Sequence, residues 1–333
     1  MIEKQVNVEP EQIAKRVRKN KYVPHLAAAR FKPNQDWSRE DAKKLYEASS
    51  DGLAVDTIHY TDNIEGMKSL NDESIDCIVA DPPFGLSFTG KESIYNRDHR
   101  FVRSGYEEVS GDYEKFSERW ISELSRIMKK SATAWIFSGW TNLGDILTAA
   151  KKSGLILVNH IIWKYQFGVF TERKFVTSHY HVLFLAKTKN YYFNKIMHYP
   201  LDVWEISRTY RKGEVKNATK LPNELIQRCI DFTTKPGDLV MDPFMGNGTT
   251  ALVCKGTFRH YLGFELNKSM GPVIDANVAS VKLGEFYTPY GAREDDLVKS
   301  AKKKYGSKSG KIDVVQRKME AFSTPQMEAN IAV

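Results

Sequence analysis

The chain has 333 residues, 41% of them hydrophobic and 12% aromatic, which is enough to bury one large core or a core with a smaller module, and which excludes a disordered or fibrous chain. No apolar run reaches the ~18 residues needed to span a bilayer, and the first residues lack an apolar stretch after a basic one, so a cytoplasmic protein is expected. The net charge of +8 is segregated: residues 15–30 hold six basic side chains and no acid, residues 299–318 hold eight against one, and residues 171–220 hold ten against four, a pattern that suits a polyanion partner.

Solvated surface with a disordered basic tail would give the same charge pattern, so the elements must decide. Residues 1–55 are expected to form a basic, helical N-terminal extension. EPEQIAKRVRKNK carries helix formers after a proline, and SREDAKKLYEA opens on a Ser cap followed by Glu and Asp. From Thr57 the texture changes to short apolar runs separated by helical segments. TIHY, IDCIVA, ATAWIFSG, LILVNHIIWKY, HVLFLAK, DLVMD and HYLGFEL read as strands, and FSERWISELSRIMKK, LPNELIQRCIDF and TTALVCKG as helices. That alternation predicts an α/β fold, a doubly wound and mostly parallel sheet with helices on both faces.

Two regions break the rhythm. Residues 84–110 interleave Lys91, Arg97, His99, Arg100 and Arg103 with Tyr95 and Phe101 without a period, and a loop of this length is uncommon unless it is functional. Residues 188–221 mix tyrosines, basic side chains and Trp204 with no helix or strand repeat, and read as a substrate-contacting insertion between two halves of one domain, residues 56–187 and 222–290. Residues 291–333 lose apolar periodicity and are expected to form a flexible basic tail. Cys77, Cys229 and Cys254 are scattered in apolar segments and read as buried free thiols, and the eight histidines show no metal-binding spacing, so no metal is expected.

Two constellations carry chemistry. Asp81-Pro82-Pro83-Phe84 follows the apolar run Ile75-Asp76-Cys77-Ile78-Val79-Ala80, which puts a carboxylate at the carboxyl end of a buried strand, where open α/β sheets place their sites. The prolines fix the backbone and leave rigid carbonyl acceptors, and Phe84 can lie against a flat ring. Together they could hold a planar –NH2 group, although Asp-Pro-Pro also occurs as a plain strand-ending turn. The second constellation is Asp242-Pro243-Phe244-Met245-Gly246-Asn247-Gly248-Thr249, again closing a strand and opening a helix. Its glycines allow a tight turn and close approach of a ligand to the helix N-terminus. One helix later Tyr261-Leu262-Gly263-Phe264-Glu265 ends in an acid placed to hold ribose hydroxyls.

Over residues 57–277 these motifs resemble the DNA amino-methyltransferase family, with its D/N/S-P-P-Y/F/W signature and F-x-G-x-G loop for S-adenosyl-L-methionine. The catalytic signature precedes the Gly-rich loop here, which looks like the circularly permuted β group. The resemblance implies a Rossmann-like methyltransferase sheet with a small target-recognition insertion at 188–221. It implies catalytic roles for Asp81, Pro82, Pro83 and Phe84. It implies cofactor contacts at Asp242, Phe244, Gly246, Asn247, Gly248 and Thr249, at Glu265 and Asn267, and at Asp62 and Asn63 beside the cofactor's adenine. Where the family usually has H-P-T-Q-K-P, this chain reads Asn217-Ala218-Thr219-Lys220-Leu221-Pro222, so only Thr219 and Pro222 of the expected contacts remain.

The substrate implied is double-stranded DNA with its target base flipped out, and the membrane is not a partner. A cognate restriction endonuclease and a homodimer are left open. Adenine N6 is favoured over cytosine N4 because cytosine enzymes of the family usually carry Ser where this chain has Asp81. RNA and protein-glutamine methylation use related signatures, and a noncatalytic nucleic-acid binder is a further alternative. A Rossmann dehydrogenase fits less well, since it leaves Asp81-Pro82-Pro83-Phe84 unexplained. C5-cytosine chemistry needs a Cys nucleophile, typically after proline, and none of the three cysteines follows one.

Overall fold

The computed structural model describes residues 31–49, 55–83, 112–165, 172–173, 175–207, 220–294, 299 and 303. The helical reading of residues 9–21, the polar loop 84–110 and nearly all of the basic tail lie outside them. In chain order the elements are α1 (Arg39–Ser49), β1 (Thr57–His59), α2 (Asn63–Lys68), β2 (Ile75–Ala80), α3 (Tyr113–Ile127), β3 (Met128–Ser138), α4 (Leu143–Lys152), β4 (Ile156–Lys164), β5 (His179–Ala186), β6 (Val203–Glu205), α5 (Asn223–Thr233), β7 (Leu239–Asp242), α6 (Thr249–Gly256), β8 (His260–Phe264) and α7 (Gly271–Ala279). The Ser cap read ahead of α1 is present: the Asp41 N–H donates to Ser38 Oγ at 3.0 Å, and the hydroxyl donates to Asp41 Oδ2 at 2.7 Å.

Among the described residues eight strands form one sheet in the order β1-β8-β7-β2-β3-β5-β4-β6. Adjacent pairs are parallel except those β5 makes with β3 and β4. β2 shows why the sheet must be covered on both sides. Ile78 and Ala80 point into a core shared with Ile64 and Met67 of α2, Trp120 and Leu124 of α3 and Ile146 of α4, whereas Cys77 and Val79 point into a core shared with Leu225 and Ile230 of α5 and Val253 of α6. Alternate residues of a strand face opposite ways, so a nearly continuous apolar run marks a strand buried on both faces. The three cysteines are buried free thiols, as expected, and burial pushes the Cys77 thiol up to about 12.

Two boundaries differ from the sequence reading. The helix read through Lys130 ends at Ile127, because Met128 turns to extended backbone (φ −67°, ψ 134°) and pairs with Ile75. Within residues 188–221, Val203–Glu205 forms β6 against β4, with Trp204 buried against Trp135 at 5.8 Å between ring centroids.

The chain divides into two units. The sheet and its helices belong to Pro33–Ile196 with Pro200–Ala292, and Met1–Lys32, Met197–Tyr199 and Arg293–Val333 form the other. Within that second unit the Phe31 and His198 rings meet edge-on at 5.9 Å. Among the described residues no helix is long and apolar enough to cross a membrane, and no three His, Cys, Asp or Glu side chains are grouped to hold a metal.

Candidate active site

The parallel strands β1, β8, β7, β2 and β3 present their carboxyl ends along one edge of the sheet. β7 continues through α6 to β8 on one side, and β2 continues through α3 to β3 on the other. Neighbouring strands that send their connections apart open a crevice above their ends, and this is where open α/β sheets bind ligands. The register Cys77↔Val240 and Ile78↔Met241, counted on, brings Asp81 level with Phe244 across that crevice.

On the β7 side the loop is held by its own acids. Asp242 is buried, and its Oδ1 accepts from the Phe244 N–H at 2.9 Å while its Oδ2 accepts from the Thr250 hydroxyl at 2.5 Å. Burial pushes its carboxyl up to about 7, with the charge of Glu265 adding to the rise. Glu265 Oε2 accepts from the Gly246 N–H and Oε1 from the Asn267 N–H, both at 2.8 Å, and burial raises its pKa as well. The Met245 N–H donates to the Phe264 carbonyl, and Asn277 Nδ2 donates to the Asn247 carbonyl. Gly246 and Gly248 have φ of 52° and 76°, a left-handed backbone that glycine adopts without a Cβ penalty. A Cβ on Gly248 would lie 2.8 Å from Ile274 Cγ2. Gly248 caps α6 and Thr249 is its first residue, so unpaired N–H groups of the first turn open beside the loop. Leu266, 58% exposed, offers an apolar side chain between Glu265 and Asn267.

On the β2 side, the Tyr113 hydroxyl donates to the Pro83 carbonyl at 3.0 Å, which fastens the proline turn to α3. The same helix presents Phe116 and Trp120 to the Phe244 ring, at 6.1 and 5.1 Å between centroids, so α3 braces both loops. Beyond β1, Asp62 caps α2, with Oδ1 accepting from the N–H groups of Ile64 and Glu65. The neighbouring Asn63 is buried and its Nδ2 has no hydrogen-bond partner. Pro222 caps α5. That helix runs back to the amino end of β7, so its first residue lies toward the crevice edge of the sheet. Of the expected site residues, Phe84 and Thr219 lie outside the described residues.

The fold therefore brings Asp81, Pro82, Pro83, Asp242, Phe244, Gly246, Asn247, Gly248, Thr249, Glu265 and Asn267 to one edge, with Asp62 and Asn63 after the end strand β1. Sequence reasoning missed Thr250, Tyr113, Phe116 and Trp120. The spacing of Phe116 and Trp120, four apart on an amphipathic helix, marks a buried face but not what it covers.

Comparison with known proteins gives the same picture. The chain is 29% identical to the Type II methyltransferase M.HinfI of Haemophilus influenzae over 258 residues, 68% of this chain and 69% of that protein. It is 28% identical to the Type II methyltransferase M2.DpnII of Streptococcus pneumoniae over 225 residues, 63% of this chain and 84% of that protein. In fold it resembles the crystal structure of the M1.HpyAVI–SAM complex, with a TM-score of 0.52 and 23% identity over 67% of this chain and 98% of that one. The family model for DNA methylases that act on N6 or N4 amino groups matches residues 75–274, both loops included, and the chain belongs to that DNA methylase family.

Proposed function

We propose that the protein transfers a methyl group from S-adenosylmethionine to the N6 amino group of adenine in a specific DNA sequence. The observation that carries this reading is Asp81 standing across the switch point from the Gly246–Gly248 turn. The loop fits such a cofactor: N–H groups at the start of α6 suit its carboxylate, Glu265 keeps lone pairs for ribose hydroxyls, and Leu266 offers an apolar face to its adenine. S-adenosylmethionine supplies an electrophilic methyl group.

The residues of this chain supply orientation. An exocyclic base nitrogen is a poor nucleophile because its lone pair is delocalised into the ring. The Asp81 carboxylate would accept one N–H and a carbonyl of the proline turn the other, which would draw the hydrogens out of plane and turn the nitrogen lone pair toward the methyl group that the cofactor would supply. Asp81 or water then takes up the released proton. A stacked base cannot enter this crevice, so it leaves the duplex at a cost of a few kcal/mol, offset by stacking on aromatics such as Phe84. The basic segments at 84–110 and 188–221 are assigned to reading the DNA around it.

Asp81 also favours adenine over cytosine. Both bases present an amidine-like –NH2 beside a ring nitrogen with a lone pair, so the preference rests on the resemblance, in which cytosine enzymes usually carry Ser where this chain has Asp81. Nucleoside mass spectrometry of unmethylated DNA incubated with the protein and cofactor tests the reading, and N6-methyladenine is expected. N4-methylcytosine would overturn the base assignment and keep the family. Full activity in Asp81→Ala would overturn the site, since that variant is expected to lose transfer and keep cofactor affinity.

A further inference from the structure

Between β3 and α4 the chain makes a turn, Gly139-Trp140-Thr141-Asn142. The Asn142 N–H donates to the Gly139 carbonyl at 3.4 Å, the Thr141 hydroxyl donates to Asn142 Oδ1 at 2.9 Å, and Asn142 itself is buried, so the turn is anchored. At its tip Trp140 is 66% exposed. Among the six tryptophans Trp120, Trp135, Trp163 and Trp204 are buried and Trp37 is half-buried, so this indole is placed unlike the others.

Its position relative to Asp81 follows from register. Ala80 pairs with Ile136, so Pro83 comes level with Gly139, and Trp140 lies one residue further on, in the turn that leaves the neighbouring strand β3 at the same carboxyl edge. That places the indole at the mouth of the crevice, away from its floor. On the far side Ser138 pairs with His181 and Lys164 with His179, so the chain entering β5 passes along the same rim. It carries Arg173 and Phe175, both exposed, the latter 99% so.

We propose that Trp140 is a DNA-contact residue, its indole stacking on the nucleobase that flanks the one delivered to Asp81. An anchored, exposed aromatic on the rim that Arg173 and Phe175 approach matches the two surfaces a DNA strand offers, flat base faces and phosphates. The inference rests on the reading of DNA as substrate. Stacking tolerates any base, so Trp140 contributes grip and leaves sequence choice to other groups.

The test uses the full-length protein, unmethylated plasmid DNA as methyl acceptor, and a mixed-sequence single-stranded oligonucleotide as fluorescence quencher. Trp140→Ala is expected to raise KM for DNA by about 5- to 100-fold, the range for losing one base–aromatic stack, with S-adenosylmethionine affinity unchanged. Trp140→Phe is expected to stay within about threefold of the parent, since a smaller ring still stacks. The part of the indole emission that disappears in Trp140→Phe should be the part that the oligonucleotide quenches. An unchanged KM in Trp140→Ala overturns the proposal. So does an equal loss in both variants accompanied by weaker cofactor binding, which would mark a fold effect, and so does a change of oligomeric state with DNA binding intact, which would mark a protein interface. If the parent enzyme methylates no DNA, the functional reading fails, and the quenching of Trp140 still decides the contact.

Discussion

Two glycines of the loop proposed to hold the cofactor permit a controlled comparison. Gly246 and Gly248 both have positive φ, so alanine at either should cost about 1–2 kcal/mol in backbone strain. They differ in the space around them. A Cβ on Gly246 meets only the Phe244 carbonyl oxygen, at an ordinary 3.7 Å, whereas a Cβ on Gly248 lies 2.8 Å from Ile274 Cγ2 and 3.5 Å from its Cα. Ile274 is fully buried on α7 and packs with Met245 and Ala251, so it has no room to withdraw. Overpacking of that kind adds about 1–3 kcal/mol, which gives about 1–2 kcal/mol for Gly246→Ala and about 2–5 kcal/mol for Gly248→Ala. Urea unfolding without ligand, with unchanged m-values, reads the difference directly. Calorimetry should find cofactor affinity reduced in Gly248→Ala, where α7 and the loop are forced apart. Two variants equally stable to within about 0.5 kcal/mol would refute the claim that α7 sets the shape of this loop.

Two further predictions concern the far edge of the sheet. Arg259 is fully buried; it donates to the Thr234 hydroxyl and carbonyl, the Thr257 carbonyl and the Tyr290 hydroxyl, and it lies 3.7 Å from buried Asp231. Arg259→Met leaves that carboxylate without its cation and should cost about 3–5 kcal/mol, with much of the loss recovered in Arg259→Met/Asp231→Leu; a change of less than about 1 kcal/mol in the unfolding free energy from urea titration would refute it. His260 meets acceptors at both ring nitrogens, Asp56 Oδ2 at 2.9 Å and the Tyr46 carbonyl at 3.0 Å, which only the imidazolium can satisfy with two donors. Burial alone would lower its pKa, and the two hydrogen bonds outweigh burial and raise it. A raised histidine stabilises the fold below its unfolded pKa of about 6.5, and that stability is lost as pH rises through the higher folded value. Melting temperature should therefore fall more steeply above about pH 6.5 in the parent protein than in His260→Gln, and parallel curves would refute the imidazolium.

Much of the fold was legible because its signals are local. IDCIVA and DLVMD are too short for buried helices and too apolar for surface, and an Asp-Pro step closes each, Asp81-Pro82 after the first and Asp242-Pro243 at the end of the second. β6 was not legible: three residues cannot show a period, and Trp204 is buried through Trp135 and Arg228, which are distant in sequence. The end of α3 was missed for a related reason. Nothing in Ile127-Met128-Lys129 breaks a helix, and the switch to strand follows from pairing with Ile75. In the site the acids announced themselves at strand ends, whereas their supports did not. Tyr113 reaches Pro83 across thirty residues, and Phe116 and Trp120 reach Phe244 from the far side of β3, β4, β5 and β6 in the chain.

The four acids at the crevice edge show how nearly identical turns can serve different ends. Asp62, Asp242 and Glu265 each accept a hydrogen bond from the backbone N–H two residues on, at Ile64, Phe244 and Asn267. Such a bond folds the carboxylate back over its own turn and makes it part of the scaffold. Asp81 begins the same way as Asp242, with proline next, but the residue two positions on is Pro83, which has no N–H to give. The second proline thus removes the N–H two residues on that the other three acids use. The same substitution leaves the Pro83 carbonyl rigid, with Tyr113 using one of its two acceptor positions. On the proposed function, the Asp81 carboxylate and the rigid Pro83 carbonyl supply the acceptor pair that an amino group with two N–H bonds requires. On that proposal, the difference of one residue between Asp-Pro-Phe and Asp-Pro-Pro separates the strand end assigned to the cofactor from the strand end assigned to the base.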